Sequence, residues 1–248
     1  MIIIKSDQEI DIMRTAGKVT AEILEKLESF IKPGVSTMDI DRFVEEFIRK
    51  KEMVPSFKGL YDFPASACVS VNEEVVHGIP SEKRTLQEGD IVSVDTGATY
   101  KGYVSDAART YGVGTISPEA RHLIDTARGS FFEGLKFCKV GYRLSDISHA
   151  IQEKVESEGF GVIRDFVGHG VGRDMHEDPQ IPNFGAPGRG PRLAKGMVFA
   201  IEPMITQGSY EVETLLDNWT VVTLDGKLAA HYENSVVITD GEPELLTL

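Results

Sequence analysis

The sequence predicts an α+β protein built from two similar halves. Three observations predict it: amphipathic helical runs alternating with strand-forming segments, a self-match at an offset of 107 residues, and a β-hairpin that carries two aspartates. The self-match occurs twice. "GVSTMDIDRFVEEF" from Gly34 aligns with "GYRLSDISHAIQEK" from Gly141, setting Asp39 on Asp146, Ile40 on Ile147 and Glu46 on Glu153. At the same offset "LQEGDIVSVD", ending at Asp95, aligns with "LAKGMVFAIE", ending at Glu202. Two matches at one offset point to an internal duplication within a single domain of residues 1–248, with halves at roughly 1–112 and 113–248. If the halves pack about a pseudo-twofold axis, Asp95 and Glu202 converge on one central spot.

The elements follow in chain order. Ser6 and Glu9 form a capping box, and Ile10, Met13, Val19, Ile23, Leu24, Leu27 and Ile31 recur at helical spacing until Pro33-Gly34 ends the run. Ile40, Phe43, Val44, Phe47 and Ile48 predict a second amphipathic helix. Between them and the next helix lies "VSVDTGATYKGYVSDAARTY", Val92 to Tyr111, with strand formers on both sides of a turn near Lys101-Gly102. A fold about Tyr100-Lys101 sets Asp95 opposite Asp106. A two-residue loop at Lys101-Gly102 sets Asp95 opposite Ala108 instead. Both registers put the two carboxylates on one face, where they repel unless a cation lies between them. Ser117-Pro118 starts a third helix carrying Leu123, Ile124, Phe131 and Leu135.

The bulk properties narrow the chemistry. A chain of 248 residues with 41% hydrophobic residues can bury a sizeable core, and the absence of a long apolar run predicts a cytoplasmic protein without a membrane span. Its net charge of -13, without a basic cluster, disfavours nucleic acid as a substrate. Two cysteines, Cys68 and Cys138, make neither a disulfide framework nor a thiolate metal site, so any metal must use nitrogen and oxygen ligands.

Such ligands are available. His169 lies between glycines in "DFVGHGVGRDMHEDPQIPN", Glu202 interrupts the apolar "FAIEPM", and Glu233 precedes an apolar run in "AAHYENSVVIT". A Glu inside an apolar strand is poor core design unless it pairs or coordinates. Asp95, Asp106, His169, Glu202 and Glu233 together supply four carboxylates and one imidazole, a set suited to two divalent ions. His122 and His149 fall in helical patterns and read as surface residues. His231 shares a strand face with Glu233 by alternation and is left open.

"VNEEVVHGIP", "VDTGATYKGYVSD", "GHGVGRDMHEDPQIPN", "FAIEPM" and "HYENSVVIT" together resemble the type I methionine aminopeptidases, in order and in spacing, over essentially the whole chain. The resemblance implies the pita-bread fold of the creatinase/aminopeptidase kind, two pseudo-twofold-related halves around a curved antiparallel sheet. It implies two divalent ions per chain (Co, Mn, Fe or Zn), with Asp95 on one, Asp106 and Glu233 bridging, and His169 and Glu202 completing the other. A bridging hydroxide would attack the scissile carbonyl, with Glu202 as proton shuttle and His77 and His176 facing the substrate. The implied substrates are nascent polypeptides with N-terminal methionine and a small second residue. Transient ribosome association and a monomeric state go with that reading, with no membrane and no nucleic-acid partner.

Phe63, Cys68 and Trp219 match positions around the family's methionine pocket. Leu60 stands where many type I enzymes have Tyr, and Met175 where an aromatic is common, which predicts a softer pocket wall. Xaa-Pro peptidases share the fold and the ligand pattern, but only about ninety residues precede Asp95, whereas those enzymes normally carry a substantial N-terminal domain. A non-catalytic binding relative would be expected to lose ligands, and all five positions are filled here. No long insertion separates His169 from Glu202 and no zinc-finger extension is present, as in the short bacterial form.

Overall fold

The structure is a computed structural model that describes residues 1–248. Helix α1 (Asp7–Phe30) begins at Ser6, whose backbone N–H donates to Glu9 Oε2 at 2.8 Å, closing the expected capping box. Next come α2 (Thr37–Lys50), α3 (Pro118–Leu135), which starts from Ser117, and α4 (Leu144–Ser157). The duplication is visible in detail. Both α2 and α4 have 14 residues and share the offset of 107 at each end. Each is entered alike: Ser36 N–H donates to Asp39 Oδ2 at 3.0 Å, and Arg143 N–H donates to Asp146 Oδ2 at 2.7 Å. The isolated bridges Ser36–Thr85 and Arg143–Arg192 keep the same offset.

Each pair of helices covers an antiparallel sheet. In the first half Ile91–Thr96 lies between Ala67–Val71 and Ala107–Gly112. In the second, Val198–Ile201 lies between Gly168–Gly170 and Asn234–Val237, with Glu177–Ile181 and Glu244–Leu245 added at the edges. Ile23, Leu27, Ile40 and Val44 pack on Val69, Val92 and Val94 in one core, and Leu123, Phe131, Ile147 and Ile151 pack on Phe199, Ile201 and Val236 in another. Both cores come from one amphipathic helix face per helix laid on one sheet face.

The hairpin takes the second of its two possible registers. Asp95 pairs with Ala108 and Tyr100 with Tyr103, leaving Lys101-Gly102 as the loop. The ladder is interrupted at Gly97, beyond which Ala98–Tyr100 and Tyr103–Val104 join Val54–Pro55 in a separate small sheet. A Cβ at Gly97 would lie 2.2 Å from Ser105 O, so only glycine permits this crossing beside Asp106. No helix is long and apolar enough to cross a membrane.

Gly17 tests the packing of α1. In an unconstrained helix interior, Gly→Ala stabilises by about 1 kcal/mol. Here the added Cβ would sit 2.1 Å from the backbone oxygen of Leu246, which no side-chain rotation relieves. Gly17→Ala is therefore expected to lower stability by about 1–3 kcal/mol, read as a lower urea midpoint at unchanged slope; a raised midpoint would contradict this close approach.

Candidate metal centre and adjoining pocket

The two half-sheets are joined along the segments Asp106–Thr110 and His231–Ser235. Asp106 N–H donates to Ser235 Oγ at 3.1 Å, Glu233 N–H to Ala108 O at 3.0 Å, and His231 N–H to Thr110 Oγ1 at 2.9 Å. Thr110 Oγ1–H in turn donates to His231 O at 2.8 Å. Arg109 reinforces the seam by donating to Glu233 O, to Asn234 Oδ1 at 2.7 Å and to Thr247 O at 3.2 Å, while its guanidinium stacks 4.2 Å from the Tyr232 ring centroid.

This seam brings all five expected ligands to one cavity of about 170 Å³. Asp95 lies near the end of Ile91–Thr96, Asp106 just before Ala107–Gly112, His169 within Gly168–Gly170, Glu202 just after Val198–Ile201 and Glu233 just before Asn234–Val237. His169 Nε2 is 3.6 Å from Asp106 Oδ2 and 3.5 Å from Glu202 Oε1. Donor atoms of Asp106, His169 and Glu233 lie within 4.8 Å of one another, as do those of Asp95, His231 and Glu233. Separations of this size suit atoms that share an ion at about 2.0–2.2 Å.

The electrostatics favour a cation. Burial, reinforced by the neighbouring carboxylates, raises the proton affinity of Asp106, Glu202 and Glu233 far above the ordinary carboxylate range, and burial raises Asp95 as well. Asp95 Oδ1, Asp106 Oδ1 and Glu233 Oε1 are buried without a hydrogen-bond donor. Lone pairs left this way fit divalent ions, and the oxygen-plus-imidazole set is one that Mn²⁺, Fe²⁺, Co²⁺ and Zn²⁺ accept. Burial lowers the pKa of His169 to about 4, so its imidazole is neutral. With Nδ1–H donating to Gly170 O at 2.9 Å, its Nε2 lone pair is free to ligate.

The rest of the cavity is a wall of His77, His176, Leu60, Phe63, Cys68, Met175 and Trp219, all expected from the sequence, together with Phe57 and Tyr61, which were not. Phe63 meets Trp219 edge-on at 5.0 Å and His77 faces Trp219 at 6.1 Å. Tyr61 stacks on His176 at 5.8 Å. Its backbone has φ 50°, between Gly59 at 86° and Asp62 at 70°, a strained turn that only Gly59 hints at in the sequence. His77 is likewise held at φ 60°. Burial raises the Cys68 thiol's pKa, making it an apolar wall group and not a nucleophile. His122 and His149 lie outside the cavity, beside Glu158 and Glu153.

Residues 11–240 match the model of metallopeptidase family M24. The chain is 60% identical over 248 residues to the methionine aminopeptidase of Clostridium acetobutylicum, covering 100% of this chain and 99% of the relative. It superposes on the crystal structure of methionine aminopeptidase from Thermotoga maritima with a TM-score of 0.98 at 49% identity, covering 100% and 99% of the two chains. The Xaa-Pro dipeptidase of Bacillus anthracis is similar at TM-score 0.79 and 27% identity, and this chain covers 61% of it.

Metal binding by this cluster would show as metal-dependent stability. A divalent ion at about 100 times its Kd adds about 2.7 kcal/mol, so Mn²⁺ or Co²⁺ should raise the melting midpoint and a chelator should reverse the rise. Asp106→Asn should lose most of that increment, while its metal-free form melts no lower than metal-free wild type because one of four crowded, buried ionisable carboxyl groups is gone. An increment of wild-type size in Asp106→Asn would remove this residue from the centre.

Proposed function

The chain belongs to the methionine aminopeptidases of metallopeptidase family M24, in the pita-bread fold, and on that premise we propose that its single domain removes N-terminal methionine from nascent proteins whose second residue is small. The observation that carries the reading is one cavity in which a carboxylate-rich candidate ligand cluster adjoins a largely apolar wall. Asp95, Asp106, His169, Glu202 and Glu233 would hold two divalent ions. Bound there, such ions supply an acidified water and a Lewis acid for the scissile carbonyl. Co, Mn, Fe and Zn all suit the donors.

The protein groups divide the remaining work. The methionine side chain lies against Leu60, Phe63, Cys68, Met175 and Trp219. Leu60 and Met175 give this wall no rigid ring, so it adapts to side chains near methionine in shape. Glu202 has the proton affinity of a buried carboxylate and takes up and returns a proton at its carboxylate oxygens. His176 and His77 are kept neutral by burial, His77 with a pKa of about 4. A neutral ring donates one hydrogen bond: His176 to the scissile carbonyl oxygen as charge develops, and His77 toward the amide nitrogen. The enzyme works as a cytoplasmic monomer on chains emerging from the ribosome, with only transient contact there.

Metal-reconstituted protein should release free methionine from Met-Ala-Ser far faster than from Met-Lys-Ser, because the space beside the ligand cluster excludes long side chains; equal kcat/KM for the two would overturn the specificity. Prior chelation should abolish release.

His176→Ala should lower kcat by about 10²-fold, the loss expected for a transition-state donor, at unchanged metal content. A normal kcat with only a lower melting midpoint would make His176 a packing residue.

A further inference from the structure

His231 is a polar side chain of the site to which neither the ligand set nor the pocket wall gives a task. It is 1% exposed, and neither ring nitrogen has a hydrogen-bond partner. Nε2 faces two carboxylates at once, 3.5 Å from Glu233 Oε2 and 3.7 Å from Glu202 Oε2. The two-way bond between its backbone and the Thr110 side chain fixes the strand, so the ring is aimed and not adrift.

The tautomer decides what it does. A neutral imidazole carries one N–H. Placed on Nδ1, that proton would be a buried donor without an acceptor, and the Nε2 lone pair would face two anions. Placed on Nε2, it points between two carboxylate oxygens and leaves only an unpaired lone pair, the less costly orphan. His169 is arranged the opposite way, with its proton on Nδ1 toward Gly170 O. His169 and His231 therefore carry opposite tautomers, one offering a lone pair and the other a donor.

Resting on the metal-centre reading above, we infer that His231 is a positioning residue whose Nε2–H holds the Glu202 and Glu233 carboxylates in their ligating orientations. Separations of 3.5 and 3.7 Å become hydrogen bonds with sub-ångström movement of either carboxylate. The rival role is a sixth ligand, on the ion shared by Asp95 and Glu233.

The test is calorimetric titration of Mn²⁺ into metal-free wild type, His231→Leu and His231→Gln. His231→Leu should bind Mn²⁺ about 10–100-fold more weakly, the loss typical of a partner that orients a ligand, and His231→Gln, which restores an N–H donor, should recover to within about threefold. Wild-type affinity in His231→Leu would overturn the inference and leave the metal centre standing; no Mn²⁺ binding by wild type would overturn both. Should His231→Leu not fold, ¹⁵N-histidine spectra of Zn²⁺-loaded wild type decide: a protonated Nε2 on His231 supports the positioning role, and an unprotonated Nε2, as direct ligation requires, overturns it.

Discussion

Everything about this site depends on the seam between Asp106–Thr110 and His231–Ser235. Its hydrogen bonds are ordinary in length, but they lie between the halves of the molecule and so fix where the carboxylates of each half end up. Asp106 and Glu233 sit on opposite sides of it, and Asp95 and Glu202 follow from the central strands of the two sheets. Without the seam the like charges would separate, since their mutual repulsion in a buried site favours any movement apart.

The placement of Arg109 is informative for the same reason. A buried guanidinium beside Glu233 could neutralise its carboxylate. Instead its donors go to the carbonyl oxygens of Ala108, Glu233 and Thr247 and to the Asn234 amide oxygen, and its face goes to Tyr232. The arginine thus braces the backbone beneath Glu233 while leaving the carboxylate free. The charge of the ligand set is kept for cations, and fixed geometry is what lets the donors bind them without reorganisation.

Burial acts oppositely on the two kinds of titratable group here. It makes the carboxylates bind protons, or metals in their place, and it keeps His77, His169, His176 and His231 neutral. Neutral imidazoles can offer a lone pair or a single directed N–H, and neighbouring groups choose which. The Gly170 carbonyl makes that choice for His169, and the carboxylate pair makes it for His231.

The sequence by itself determined the fold class, the internal repeat and the five residues that the structure gathers in one cavity, because helical periodicity, an offset shared by two matches and acids stranded in apolar strands are all local or self-referential signals. It left the hairpin register open between two choices, and the crowding at Gly97 accompanies the one adopted. Phe57 and Tyr61 were invisible as wall residues, since a side chain in an irregular turn carries no period that says where it points. His231 was placed on the right face but given no task. Only the tertiary structure, by closing the seam and burying His231 between Glu202 and Glu233, set its ring against two carboxylates from different strands, and what a buried imidazole does is decided by the groups that surround it in space.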